Sequence, residues 1–217
     1  MNALLEVFER PNFWELVARH VELSAIALAI AVAVALPVAF AVRNTPLGAA
    51  VAINVGNVGR AVPSLAILAL ALPIFGFGFA PSMVALTALA IPPLLINAST
   101  GLREVNREII DAARGMGLSG GQILTRIQLP IAAPVIFAGV RTSAVQVVAS
   151  ATLATFIGGG GLGDLIVEGF SRGDTAILLA GALSVAILAV ITEASFGALE
   201  RISTPRGLRI AQKGQRK

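Results

Sequence analysis

Residues 61–102 read AVPSLAILALALPIFGFGFAPSMVALTALAIPPLLINASTGL, an unbroken run without one charged side chain. A helix that crosses a bilayer needs about 20 consecutive apolar residues, so this run is long enough for two crossings. Its middle, Phe75-Gly76-Phe77-Gly78-Phe79-Ala80-Pro81, carries the glycines and the proline that favour a turn. The expected outcome is one span over 61–74, with a start as early as Gly48 open, and another over 82–102. Working outward, 23–42 is a second uncharged run, stopped by Arg43-Asn44-Thr45-Pro46. Two further apolar runs, 131–157 and 175–199, carry Arg141 and Glu193 respectively. The expected fold class is therefore all-α: a single transmembrane domain over 1–217 with about five membrane helices.

Composition agrees. Apolar residues make up 56% of the 217 positions and charged residues 13%, and the mean hydropathy is +0.86. A soluble domain carries roughly 25% charged residues. A soluble globule, a disordered chain and, with no cysteine, a disulfide scaffold are excluded. The pI near 11.0 invites a nucleic-acid reading, but the net charge is only +4, and its placement points to membrane orientation instead. Basic residues collect on the cytoplasmic side of membrane proteins. Five spans put the loops at 43–60 and 103–130 and the tail at 200–217 on one side, with twelve Lys or Arg against four acids. The other side holds Arg10, Arg19 and Arg172 against seven acids. The N-terminus is therefore expected outside and the C-terminus in the cytoplasm. The tail, six basic residues and no acid from Arg201 on, reads as a positive-inside anchor or a lipid-recognising segment. The first residues do not resemble a cleaved signal, because Glu6 and Glu9 stand where a basic region belongs. Trp14 reads as an interfacial aromatic and His20 as a solvated imidazole.

The polar interruption at 103–130 carries the functional signal. From Glu104 to Ala113 it has helical period, with Val105, Ile109, Ala112, Ala113 and Met116 on one apolar face and Arg107 spaced to pair with Asp111. Gly115 and Gly117 permit the positive φ that ends a helix. Ser119 and Gln122 have capping-box spacing, so a second helix is expected from there to Leu129, stopped by Pro130. The product is a helix, a sharp turn and a helix outside the bilayer. Ala112, Ala113, Met116, Gly117 and Leu118 would form a small apolar knob that a cleft on a partner could grip.

Asp111-Ala112-Ala113-x-x-x-Gly117, followed after nine residues by Ile127-x-Leu129-Pro130, resembles the EAA loop of binding-protein-dependent ABC importer permeases, with Asp111 where the family usually has Glu. The segments Arg60–Ala66, Gly139–Ser143, Ala151–Asp164 and Glu200–Leu208 resemble one branch, the permeases for glycine betaine, carnitine, choline and related osmoprotectants. The resemblance covers about 54–209. It implies a type I importer subunit in a bacterial inner membrane. A second permease chain, identical or paralogous, would complete the pore. Two cytoplasmic ATPases would dock through Asp111, Ala112, Ala113, Gly115, Met116, Gly117 and Leu118, and an extracytoplasmic binding protein would deliver solute. ATP and Mg would sit on the ATPases, with no cofactor on this chain. Methionine importer permeases share the length, the five-span plan and the loop.

Other constellations are weaker. Gly158, Gly159, Gly160, Gly161 and Gly163 imitate a phosphate cradle, but Asp164 follows where a Walker loop needs Lys. They read better as an unwound outer loop, hinged by glycine, facing the pathway or the binding protein. Arg141 and Glu193 are costly inside a membrane and usually pair; each is a structural ion pair or part of the solute path. Ser143, Gln146 and Ser150 form a stripe that would line a wet cavity or bond between helices. Pro37, Pro73, Pro92, Pro93 and Pro134 kink spans locally. One His, no Cys and no cluster with metal spacing leave neither catalytic chemistry nor a metal site. With no Tyr and one Trp, the chain cannot build a rich aromatic cage for a quaternary ammonium. Two other classes compete: a self-sufficient secondary transporter, which usually shows internal repeats, and a non-transporting scaffold, which leaves the loop spacing unexplained.

Overall fold

The computed structural model describes residues 2–203; most of the basic tail expected at 200–217 therefore lies outside the described residues. Ten α-helices follow in order: α1 Asn2–Phe8, α2 Phe13–Val42, α3 Pro46–Ala61, α4 Ser64–Phe75, α5 Phe79–Arg103, α6 Arg107–Gly115, α7 Gly120–Ile123, α8 Leu129–Ser150, α9 Gly163–Arg172 and α10 Thr175–Ser203. Four helical stretches, Phe13–Val42, Phe79–Arg103, Gly120–Ile157 and Thr175–Ile202, are long and apolar enough to cross a membrane. The bent pair α3–α4 makes five if it counts as one span.

The first span is longer than the uncharged run suggests. Nothing between Phe13 and Glu22 breaks a helix, so α2 starts ten residues before the apolar run. Its buried face is Leu23, Ala27, Ala31, Ala35 and Ala39, all at 0–1% exposure. Alanine at every fourth position brings α2 close to its neighbours, since van der Waals packing of small residues is what holds helices together in lipid. α5 is the central helix: it packs on α2, α3, α4 and α8 and buries Leu86, Ala90, Leu94, Ala98 and Leu102. α10 packs on α8, α9 and α1. The bundle thus runs laterally from the α3–α4 pair through α5 and α8 to α10, with α2 lying across α5 and α8.

Two expectations are corrected here. The span expected over 61–74 forms α4 from Ser64, and the earlier start left open near Gly48 takes in α3, which does not run on into it as one straight helix. α3 and α4 meet at Val62-Pro63 with a bend of 91°, because a proline lacks the N–H that would continue α3 and holds the residue before it extended; Val62 has φ −73° and ψ 125°. The turn near 75–81 does form, with Gly76 at φ 73° and Gly78 at φ 106°. Second, Pro130 does not stop a helix. Residues 124–128 form a π-helical turn in which the Leu129 N–H donates to the Leu124 carbonyl, and the helix continues straight into α8. The wider turn accommodates the proline ring where a standard turn would press it on the carbonyl four residues back.

Candidate coupling surface and intramembrane polar groups

α6 begins later than its apolar period suggests. The chain breaks at 104–106, and the Asn106 side chain accepts from the Glu108 N–H at 2.8 Å to cap the helix. Asp111 pairs with Arg114 at 3.3 Å, not with Arg107. The expected single apolar face divides in two. Val105 and Ala113 are buried, at 2% and 0%, and anchor α6 to the bundle. Ile109, Ala112 and Met116 are exposed, at the i, i+3, i+7 spacing of one outward stripe. Ala113 is therefore a root of the knob and not part of its surface. The knob ends in a Schellman turn: Leu118 N–H donates to Ala113 O at 3.1 Å and Gly117 N–H to Arg114 O at 2.9 Å. Gly117 takes φ 83°. Gly115 lies in open space within the last turn. Ser119 and Gln122 then form both bonds of a capping box, which starts α7.

Arg43 fixes this assembly to the bundle. From the end of α2 its guanidinium donates to Gln128 Oε1 at 3.2 Å and to Gly120 O at 3.4 Å. Gln128 is 3% exposed, so its side chain is a buried partner and not a surface amide. Beside it a cavity of about 460 Å³ opens between the α2–α3 turn and α6. Arg43, Arg103, Arg107 and Arg114 line it, with Asp111 the one acid. That end of the molecule is strongly electropositive.

At the opposite end, residues 151–157 tighten into a 3₁₀-helix and the glycine run follows. Gly158, Gly160 and Gly161 have φ of 77°, 78° and 103°, which no other residue adopts cheaply. Gly159 and Gly163 serve close approach: a Cβ would come within 2.4 Å of Ser82 Oγ and 2.3 Å of Thr152 O respectively. The run is thus a packed clamp and not a loose hinge. Arg19 donates to Gly159 O at 3.1 Å, pairs with Glu22 at 2.8 Å and stacks over Phe79 at 4.9 Å. His20 is not solvated; it is fully buried. Its Nε2 lies 2.8 Å from Val148 O, and its Nδ1 accepts from the Leu162 N–H at 3.3 Å. A carbonyl on one side and an N–H on the other suit the neutral ring with its proton on Nε2. α9 follows the clamp, and Glu168 on it receives both Arg10 at 3.2 Å and Arg172 at 3.0 Å.

Arg141 on α8 lies 3.4 Å from Glu193 and 3.0 Å from Glu200, both on α10. The second carboxylate belongs to a residue placed in the sequence at the membrane surface, seven positions along the same face. Ser143 is buried and donates to Ala90 O at 2.8 Å, so it joins α8 to α5 and lines no cavity. Gln146 and Ser150 are half-buried.

Sequence reasoning missed a polar strip on α3. Its small residues Ala49, Ala52 and Gly56 are buried, and Leu47, Val51, Val55 and Val58 form an exposed apolar stripe. Between these two faces Asn54, Asn57 and Arg60 stand exposed, three residues apart. Arg60, expected among the cytoplasmic loops, is exposed at the end of α3 next to Gly59, which lies against Pro92 halfway along α5. The missed signal is a repeat of polar side chains at helical spacing within an otherwise apolar segment. Among the described residues no three His, Cys, Asp or Glu are grouped as a metal would need.

Residues 25–202 match the family described as binding-protein-dependent transport system inner membrane component. The chain is 37% identical to the glycine betaine/carnitine/choline transport system permease protein OpuCB of Bacillus subtilis, over 96% of this chain and 97% of that one. It is 39% identical to the carnitine transport permease protein OpuCB of Listeria monocytogenes, over 99% of both. It is also 39% identical to the choline transport system permease protein OpuBB of B. subtilis, over 87% of each. Among solved structures, the MetNI methionine ABC transporter in an inward-facing conformation matches with a TM-score of 0.78. That match has 21% identity and covers 89% of this chain and 96% of that one.

Proposed function

Because this chain belongs to the family of binding-protein-dependent transport system inner membrane components, we propose that it is the permease subunit of an ATP-driven importer for quaternary-amine osmoprotectants. The observation that carries the solute class is the near full-length identity with the permeases named for glycine betaine, carnitine and choline. The likeness to the methionine transporter, at 21% identity, is one of fold and gives that solute no comparable support.

Two permease chains would enclose the path. The outward stripe Ile109, Ala112 and Met116, ended by the Gly117 turn, suits the groove of a cytoplasmic ATPase, and an ATPase on each permease would hold the ATP and Mg. The clamp of Gly158–Gly163 with α9 would face the binding protein on the other side of the inner membrane. That orientation puts the N-terminus outside and the arginine-lined cavity in the cytoplasm, as basic residues prefer. Solute recognition at high affinity falls to the binding protein, since a single exposed Trp14 cannot cage a quaternary ammonium. ATP-driven closure of the ATPases would swing the permeases between inward-open and outward-open states.

The test is uptake of labelled glycine betaine, carnitine and choline by proteoliposomes holding the full complex, with its binding protein and ATP. Methionine serves as the control. Import of one or more of the three supports the reading; import of methionine alone overturns it and leaves the family standing.

A further inference from the structure

Arg60 stands beside the middle of α5, next to Gly59, which lies against Pro92. α3 rises along α5 from its Arg103 end: Ile53 shares a small cavity with Thr100 and Arg103, Gly56 meets Ile96, and Gly59 meets Pro92. Eleven residues of helix separate Arg103 from Pro92, about 16 Å at 1.5 Å per residue. Beyond the bend, α4 continues toward the other end of α5, where Leu68 packs on Ala85. Arg60 therefore lies close to the midpoint of a hydrocarbon layer about 30 Å thick, too deep for its side chain to reach either surface.

Two independent features bar lipid from this place. The strip Asn54, Asn57 and Arg60 is exposed on the protomer, and among the described residues none of the three side chains makes a hydrogen bond or ion pair within the protomer. A charge at such depth faces protein or water, because lipid cannot solvate it. The backbone is also interrupted here. Val62 and Pro63 are non-helical and exposed, and irregular backbone at membrane depth is tolerated only against protein or a water-filled cavity. In secondary transporters, interrupted helices at the midplane carry the solute contacts, and the break at Val62-Pro63 has the same form. Arg141, by contrast, is occupied by two carboxylates on the far flank of the bundle.

We infer that Asn54, Asn57 and Arg60 line the aqueous solute path, and that the Arg60 guanidinium is its selective element, receiving the carboxylate of a zwitterionic solute. A guanidinium pairs a carboxylate through two parallel N–H donors and repels a solute that is only a cation. The inference rests on the osmoprotectant reading for its solute and on geometry alone for its path.

The test separates the two. The chain has no cysteine, so each variant adds one thiol to it, and the complex with the cysteine-free wild-type chain sets the background. In the complete complex, Asn54→Cys, Asn57→Cys and Arg60→Cys should react with a charged, water-soluble thiosulfonate about tenfold or more faster than Val51→Cys and Val55→Cys. Equal or absent labelling removes the strip from the path, whatever the solute. In uptake assays, Arg60→Gln should raise the ratio of choline to glycine betaine import by about tenfold, the size of one lost charge-assisted contact, and Arg60→Lys should restore part of it. Equal changes for both solutes would overturn the selective role. A wild-type complex that carries neither betaine nor carnitine removes the carboxylate assignment together with the osmoprotectant reading, while the labelling result still decides the path.

Discussion

The Arg43 guanidinium, at the end of α2, and the Gln128 side chain, in the π-helical turn before α8, are joined by a hydrogen bond of 3.2 Å. This bond and the one to Gly120 O are the polar ties between the first span and the segment that follows the knob. Arg43→Ala leaves the buried Gln128 amide short of a donor, at about 1–3 kcal/mol. The expected result is a lower melting temperature of the purified complex and weaker co-purification of the ATPase, with membrane insertion retained. Unchanged co-purification would show that the tie does not position α6.

Gly117 offers a cleaner test of the knob. A Cβ there meets nothing within 4 Å, so the cost of substitution is purely conformational. At φ 83° a β-branched residue is a true outlier, whereas Asn tolerates the left-handed region. Gly117→Val should abolish most solute uptake while the protein still reaches the membrane, and Gly117→Asn should keep most of it. Normal uptake in the valine variant would remove the turn from coupling.

The Arg141 network predicts unequal losses. Arg141 has two carboxylate partners, so Glu193→Gln leaves Glu200 in place and should lower thermal stability little. Arg141→Ala removes both contacts from α8 to the carboxylates of α10 and should lower it more. The double change Arg141→Ala with Glu193→Gln should be milder than the sum of the singles, as expected for groups in contact. Additive melting shifts would show that the pair is not formed in the membrane.

At Gly163, space and not φ decides the outcome. Gly163→Ala pushes a methyl group against the Thr152 carbonyl, 2.3 Å away, and overpacking of this kind costs about 1–3 kcal/mol. Gly120→Ala meets open space. Thermal melting should drop for the first and stay near the wild type for the second.

His20→Phe keeps the ring volume and removes both hydrogen bonds. It leaves the Leu162 N–H unsatisfied, at a cost of about 1–3 kcal/mol. Limited proteolysis should then cut the 158–162 loop faster than in the wild type. An unchanged cleavage rate would mean that Arg19 alone holds the loop down.

What the sequence made legible were features with a local physical cause. The charge-free run marked the segment that holds α4 and α5, Gly76 and Gly78 marked the turn between them, Ser119 and Gln122 marked a capping box, and the similar depths of Arg141 and Glu193 pointed to their contact. The failures share a different cause. Val62-Pro63 breaks a segment whose apolarity never changes, so hydropathy cannot see the bend. Ala112 and Ala113 are alike in composition and differ only in which side α6 turns to the bundle. Pro130 is a helix breaker by rule, and only the π-helical turn, a tertiary accommodation, lets the helix pass. His20 is polar, yet α2 extends past it and a distant loop folds over it.

That uninterrupted passage has a mechanical consequence. From Gly120 to Ile157 the chain is one helical piece of 38 residues, about 57 Å if it rose 1.5 Å per residue throughout. One end is rooted beside Ala113 and Arg43; near the other, Val148 O meets His20 and Thr152 O abuts Gly163. Its two ends are tied to the knob and to the glycine clamp, so a displacement imposed at the Ser119 end would be carried toward the clamp along one continuous stretch of helix.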